Sequence, residues 1–368
     1  MAEYWTSKSS IKTAADDLRQ DETKTATESE PSLNYKDSLK MILENCVLIF
    51  ALGTKLLAKP WLPRKLRRLH YACTSFQNYM SQVYEEEKLA FECGESGDRN
   101  FMTSLVRASQ DGTAKSSSLG GLTEKEIYGN MFTFNFAGHD TTTHTFTFAL
   151  YFMAANPTVQ DWISEEIRHV MGDREPHEWS SSDFPRLKRC LAVMYETLRL
   201  YTPVPTSKFV DGQTPQPLTV GGTTITLPPN TMIVPSYASI QSDPRYWGDD
   251  SLEWRPSRFI KSSTSADAKT AGATLDDEEF ITPARGTFLS WSGGARGCVG
   301  RKFSQVEFVA VVATLFRDWR VGPVLAGGGE TAEAARMRVL NQIETDSAPV
   351  LLLQMLHPDR CPLVWSRR

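Results

Sequence analysis

The chain is poor in paired cysteines, in long apolar runs and in excess positive charge, and each shortage excludes a class of protein. Its six cysteines, Cys46, Cys73, Cys93, Cys190, Cys298 and Cys361, lie far apart with no C-x-x-C pair, so neither a zinc spacing nor a compact disulfide framework is indicated and a reducing compartment fits best. The N-terminus, Met1 to Lys8, has no apolar signal core, and the longest apolar stretch near it, Cys46 to Leu52, is too short to cross a bilayer. Against 44 Asp and Glu there are only 40 Lys and Arg, a net charge of −4, which removes the electrostatic case for nucleic acid as a partner. No internal repeat is visible, and the segment G-x-x-x-x-G-K-[ST] that would cradle phosphates is missing, since Gly300 is followed by Arg301-Lys302-Phe303.

What remains is a chain of 368 residues, 40% hydrophobic, able to bury a sizeable core. Residues 1–35 are rich in Ser, Thr, Asp, Glu and Lys and read as a solvated, disordered arm; residues 36–368 read as one domain. Apolar periodicity predicts helices from Lys36 to about Leu57, from about Leu66 to Ala90 and from Phe101 to Ala108. Thr123 and Glu126 form a capping-box pattern that opens a long apolar helix ending at Asn156-Pro157. A further helix runs from about Pro185 to Tyr201. Leu218–Val220 and Thr223–Leu227, joined by Gly221-Gly222, read as a β-hairpin, and Met337–Leu340 and Val350–Met355 as late strands. Residues 261–278 read as a surface insertion. The pattern predicts a mainly helical α+β protein with small antiparallel hairpins.

The most informative segment is Trp291-Ser292-Gly293-Gly294-Ala295-Arg296-Gly297-Cys298-Val299-Gly300, a cysteine in a glycine-rich loop that runs into an amphipathic helix. Glycines at 293, 294, 297 and 300 let backbone approach a large flat ligand without Cβ clashes. The helix start brings unpaired N–H groups and the positive dipole end toward the sulfur, which suits a thiolate ligand. Two other readings stand beside this one: a nucleophile, for which no histidine is paired by any motif, and an inert core thiol.

Three more segments precede the loop: Ala137-Gly138-His139-Asp140-Thr141-Thr142, then Glu196-Thr197-Leu198-Arg199, then Trp254-Arg255-Pro256-Ser257-Arg258-Phe259. Together, and in this order, the four resemble the signatures of the cytochrome P450 family, and their style is similar to fungal microsomal members. The resemblance implies a P450-like helical fold, an iron protoporphyrin (haem) cofactor with Cys298 as the axial metal ligand, and Arg296 against a haem propionate. It implies Trp291, where the family usually has Phe, packed near the cysteine, with Gly294, Gly300, Ala137 and Gly138 lining the haem. Lys208 is a second candidate for a propionate. Asp140 and Thr141, polar residues in an apolar helix, become the pair that relays protons to dioxygen, and the hydroxyl run Thr141-Thr142-Thr143 is expected to distort that helix locally. Glu196 and Arg199, at i and i+3 on one helix face, join Arg258 in a structural network behind the cysteine loop. Phe136 and Thr206 are candidates to shape a substrate pocket.

By the same resemblance the activity is a haem-thiolate monooxygenase: one atom of molecular oxygen enters a lipophilic organic substrate, of the kind found in secondary metabolism, with electrons from an NADPH-dependent reductase. Lys188, Arg189, Arg301 and Lys302 are candidates for a basic face toward that reductase. Full-length relatives would sit on the cytosolic face of the endoplasmic reticulum membrane. This sequence departs from them upstream: residues 1–37 are too few and too polar to supply a membrane anchor or the N-terminal β-rich lobe, so the expectation is an N-terminally truncated member, without an anchor and placed in the cytoplasm. Two alternatives accompany it, an inactive member that cannot complete a haem pocket, and a haem-thiolate isomerase or dehydratase.

Overall fold

A computed structural model describes residues 33–94, 101–110, 121–204, 207–210, 212–261 and 275–368. Most of the polar arm, most of the surface insertion and Thr206 lie outside the described residues. Backbone contacts divide the chain into two compact units, Met1–Tyr128 and Gly129–Arg368.

In the first unit the single helix expected between Lys36 and Leu57 is three: α1 (Tyr35–Glu44), α2 (Cys46–Leu52) and α3 (Thr54–Leu57). The interruptions have local causes. Asn45 turns its side-chain amide back onto the Met41 carbonyl, 2.9 Å, and Gly53 takes φ +72°, a left-handed value that ends a helix at little cost only for glycine. Leu39, Ile42 and Leu43 bury the inner face of α1 against α4 (Arg64–Glu92), where the Tyr35 and Phe76 rings stack at 5.7 Å. α5 (Phe101–Gln110) follows, and Thr103 donates to Glu87 of α4 at 2.5 Å.

α6 (Glu124–Ala155) opens with the capping box read from the sequence: the Thr123 backbone N–H and hydroxyl both reach Glu126, each at 2.8 Å. Its C-terminal half belongs to the core of the second unit. There Met153 packs with α7 (Pro157–Met171) and α8 (Lys188–Leu200), and with the later α11 (Arg301–Asp318), through Ile163, Ile167, Val193, Met194, Phe308, Val312 and Phe316. α8 is the central element: from Ala192 to Arg199 every side chain is buried, polar ones included.

Short antiparallel pairs decorate this core: β1 (Lys208–Phe209) with β4 (Met232–Ile233), β2 (Gln216–Val220) with β3 (Thr223–Leu227), and β5 (Ile260–Lys261) with β6 (Glu279–Phe280). The β2–β3 turn places Gly221 at φ +56° and Gly222 at +82°, the two positive values a tight hairpin requires. Between β4 and β5 in sequence lie α9 (Tyr237–Gln241) and α10 (Pro244–Trp247). β7 (Trp319–Pro323), which the sequence reading missed, pairs with the C-terminal β10 (Leu363–Arg367).

One strand expectation is overturned. Met337–Leu340, read as a strand, lies inside α12 (Ala332–Thr345). Thr331 caps that helix by accepting from the Ala334 N–H, and Ala335, Val339 and Ile343 bury one face at helical spacing; four residues were too local a signal against a run of good helix formers. The last expected strand is the hairpin β8 (Ser347–Pro349) with β9 (Leu353–Met355).

Candidate haem-thiolate site

The site is built outward from α8. Glu196 is fully buried and accepts from Arg199 Nε at 2.7 Å, Arg199 Nη2 at 2.8 Å, Arg258 Nε at 2.8 Å and the Arg255 backbone N–H at 2.8 Å. A buried carboxylate is tolerable only when paired and fully hydrogen-bonded, and this one is. Arg199, also without exposure, spends its remaining donors on carbonyls of Gln241 (2.6 Å), Ser251 (2.5 Å) and Glu253 (3.2 Å), so one guanidinium ties α8 to the segment that ends in the Trp254–Phe259 motif. The Arg199 guanidinium also lies 5.1 Å from the centre of the Trp247 ring.

Gln241, which sequence reasoning did not single out, carries the connection onward. Its amide donates to the Arg199 carbonyl at 2.9 Å, and its oxygen accepts from the Leu289 N–H at 2.6 Å and the Ser290 hydroxyl at 3.3 Å. Leu289 and Ser290 lead directly into the glycine loop. A buried Gln at the end of a short helix has no distinctive pattern in sequence, so nothing could have flagged it. Tyr195 was also missed. Its hydroxyl receives Arg301 (3.1 Å) and Gln305 (3.0 Å) from the first turns of α11, while its ring lies 5.1 Å from Trp291.

Trp291 therefore packs at the back of the loop, against Tyr195 and Phe288, with its indole N–H on Ser304 at 3.2 Å and the Arg301 guanidinium over its ring. The Cys298 N–H closes the loop on the Trp291 carbonyl at 2.9 Å. Gly294 takes φ +73°, and a Cβ at Gly297 would come within 3.3 Å of the Gly294 carbonyl, so the loop's path requires glycine at the first and favours it at the second. Gly300 is the N-cap of α11, with the Cys298 sulfur 3.8 Å from where its Cβ would stand.

Cys298 is exposed and unpaired, beside Val299 (80% exposed) and Phe303 (70%). Arg296 is exposed on the same loop, and Lys208 reaches the Gly293 carbonyl at 3.4 Å. Among the described residues no three His, Cys, Asp or Glu side chains gather to hold a metal ion. A metal at Cys298 must then bring its other ligands with it. One sulfur donor, apolar surface on either side and two cations for acidic groups fit haem.

On α6, Ala137 and Gly138 are exposed and nothing lies within 4 Å of a Cβ added at Gly138. Asp140 is partly buried, with His139 Nδ1 at 3.5 Å. Burial pushes the His144 imidazole below its usual value, against the opposing pull of Asp140. Thr141 donates to the Ala137 carbonyl at 2.8 Å, and Thr143, Thr145 and Thr147 repeat this bond to the residue four back. The helix nevertheless stays α-helical from Glu124 to Ala155, so the local distortion expected at the threonines is not present. α6 and α11 meet where the Phe146 and Phe308 rings lie 4.6 Å apart. Lys188 and Arg189 do not form an open basic face: Arg189 is buried between Glu165 and Glu278, and Lys188 binds carbonyls of Asp276 and Glu278.

The model of the cytochrome P450 family matches residues 21–344. Among curated proteins, the chain is 28% identical over 346 residues to cytochrome P450 monooxygenase 124 of Postia placenta, covering 92% of this chain and 59% of that protein. It is 30% identical over 334 residues to the phomenoic acid biosynthesis cluster cytochrome P450 monooxygenase of Leptosphaeria maculans, covering 86% of this chain and 56% of that one. The chain thus spans a little over half the length of these relatives. Among solved structures, the crystal structure of a cytochrome P450 (CYP102L1) superposes with a TM-score of 0.57 at 19% identity, over 87% of this chain and 64% of that chain, a likeness of fold.

Proposed function

Since the chain belongs to the cytochrome P450 family, we propose that it carries the haem-thiolate centre of a monooxygenase, one that inserts an oxygen atom from O2 into a lipophilic organic substrate with electrons from an NADPH-dependent reductase. The observation that carries this reading is the presentation of Cys298: an exposed thiol at the head of α11, on a loop held from behind by the buried chain Glu196, Arg199, Gln241 and Leu289. The name of the Leptosphaeria relative sets that protein in a biosynthetic cluster, which favours a secondary metabolite as the substrate class here.

Bound haem would supply the redox chemistry and the activation of dioxygen. The chain's own residues do the rest. Cys298 would ligate the metal; Arg296 and Lys208 would neutralise the propionates; Trp291 backs the loop; Gly294, Gly300, Ala137 and Gly138 would keep the cofactor's surroundings free of bulk. The Thr141 hydroxyl, which donates a hydrogen bond to the Ala137 carbonyl, and the neighbouring Asp140 carboxyl would relay protons. Reconstituting the chain with haem, reducing it and adding carbon monoxide tests the assignment: a red-shifted Soret band is expected in the parent and absent in Cys298→Ala.

A second reading is favoured by the apolar side of α11, where Phe303, Val306 and Val311 are 70%, 38% and 39% exposed. On that reading the chain as it stands does not complete a haem pocket. Failure of the parent to take up haem would select it and sink the active-enzyme proposal.

A further inference from the structure

On the second unit, well away in sequence from the cysteine loop, α7 and the β7–β10 pair enclose an open depression of about 710 Å³. Asp161, Ser164, Glu165 and Arg168 share one face of α7, spaced at three, four and seven residues, and Arg320 faces it from β7 opposite Ser366 of β10. Its charges do not balance. Asp161 Oδ1 receives both Arg320 and Arg368, the latter at 2.6 Å. Glu165 is committed elsewhere, to Arg189 at 2.6 Å. The Arg168 guanidinium has no hydrogen bond or ion pair among the described residues. The lining thus carries four guanidinium groups, Arg168, Arg320, Arg367 and Arg368, against two carboxylates, Asp161 and Glu165, an excess of two positive side-chain charges.

Two further observations point to a ligand. The Ser164 hydroxyl, in a residue only 2% exposed, has no hydrogen-bond partner among the described residues, an arrangement that is unfavourable unless something completes it. Arg368 is held rigidly, its side chain 7% exposed and bound to Asp161, to the Gln160 carbonyl at 2.8 Å and to the Trp319 carbonyl at 3.3 Å. Burial pushes its guanidinium below the usual value, and the positive fields of Arg320 and Arg168 push the same way while Asp161 opposes them.

We propose that this depression binds a dianionic phosphate group, as carried by a small soluble phosphomonoester, between Arg168 and Arg320 with the Ser164 hydroxyl as an added donor. A guanidinium fork matches the spacing of phosphate oxygens, two charges on the ligand cancel the local excess, and the volume accommodates an organic group beyond the phosphate. This inference shares no residue with the cysteine site and stands whether or not the chain takes up haem.

Titration calorimetry with inorganic phosphate, against potassium chloride at matched ionic strength, tests it. Saturable binding is expected, weakened about tenfold by Arg168→Gln, reduced by Ser164→Ala, and unchanged by Arg336→Gln, which removes a cation from α12 instead. Ser164→Ala deletes only a hydroxyl and keeps the test decisive if an arginine variant folds poorly. Binding no stronger than chloride, or equal losses in Arg168→Gln and Arg336→Gln, would overturn the proposal. Sedimentation with phosphatidic acid vesicles but not phosphatidylcholine vesicles, with no heat from soluble phosphate, would overturn the soluble ligand and assign the cluster to a lipid headgroup.

Discussion

Replacing Glu196 by Gln keeps the volume of the side chain and removes its charge, and the structure sets what that should cost. Four donors converge on this carboxylate at 2.7–2.8 Å, two of them from Arg199, which has no exposure and no other anion in contact. Arg258 is better insured, because Asp250 lies 3.3 Å from its Nη1. The variant therefore strands chiefly one buried guanidinium, and breaking a buried pair in this way costs about 3–5 kcal/mol. Taking a urea dependence of roughly 3 kcal/mol per molar for a unit of this size, the midpoint should fall by about 1–2 M in an equilibrium unfolding curve followed by circular dichroism. Arg199→Met should cost a similar amount, since it also abandons the Gln241, Ser251 and Glu253 carbonyls. Glu196→Gln with Arg199→Met should cost clearly less than the sum, because no buried charge is left unpaired. A shift below about 0.3 M in Glu196→Gln, or strict additivity in the double variant, would refute the claim that this pair is a coupled, charge-sensitive clamp.

Other consequences are open to the same measurements. Burial raises the Glu166 carboxyl from 4.5 to about 7 despite the Arg189 and Cys190 N–H groups that it accepts. Between those values the folded chain holds the proton more tightly than the unfolded chain, so stability is fully present below about pH 4.5 and falls by about 3 kcal/mol as pH rises through 7; Glu166→Gln should flatten that part of a stability-against-pH curve. Glu330 acts in the opposite sense: hydrogen bonds from Arg338, and then from the Ala326 N–H, hold it down to about 2, so its contribution is present above 4.5 and is lost as pH falls toward 2, a loss that Arg338→Gln should reduce. Gly294→Ala, at φ +73°, should lower stability by about 1–2 kcal/mol. It should also reduce haem uptake, whereas Gly322→Ala, in the ladder of β7 at ordinary φ with open space around a Cβ, should not. Thr331→Ala should cost about 1 kcal/mol through loss of the α12 cap, readable as a shift in thermal midpoint.

The cysteine loop, the Glu196–Arg199 pair and the long capped helix were legible because each is local. Glycine spacing, an i and i+3 relation and a capping box are properties of a few consecutive residues, and backbone sterics read them the same way in any surroundings. Family membership followed from the order of four such segments. The helix over Ala332–Thr345 was misread because four residues carry less information than the propensities of fourteen, and the burial that settles it comes from residues distant in sequence. Whether the threonines of α6 break their helix was likewise not a local question; their bonds back to carbonyls are accommodated within an unbroken ladder.

What only the tertiary structure decided is who meets whom. Gln241 and Tyr195 matter because α8 is buried on every side and must find partners for each polar group it takes inside, and those partners lie 42 to 110 residues away in the chain. Lys188 and Arg189, basic in sequence, are consumed by contacts with the Glu165 and Asp276–Glu278 regions, while Arg168 and Arg320, undistinguished in sequence, are brought together in one depression. A sequence names which groups carry charge and which residues can turn; the balance of charge at a place depends on distances that only packing sets.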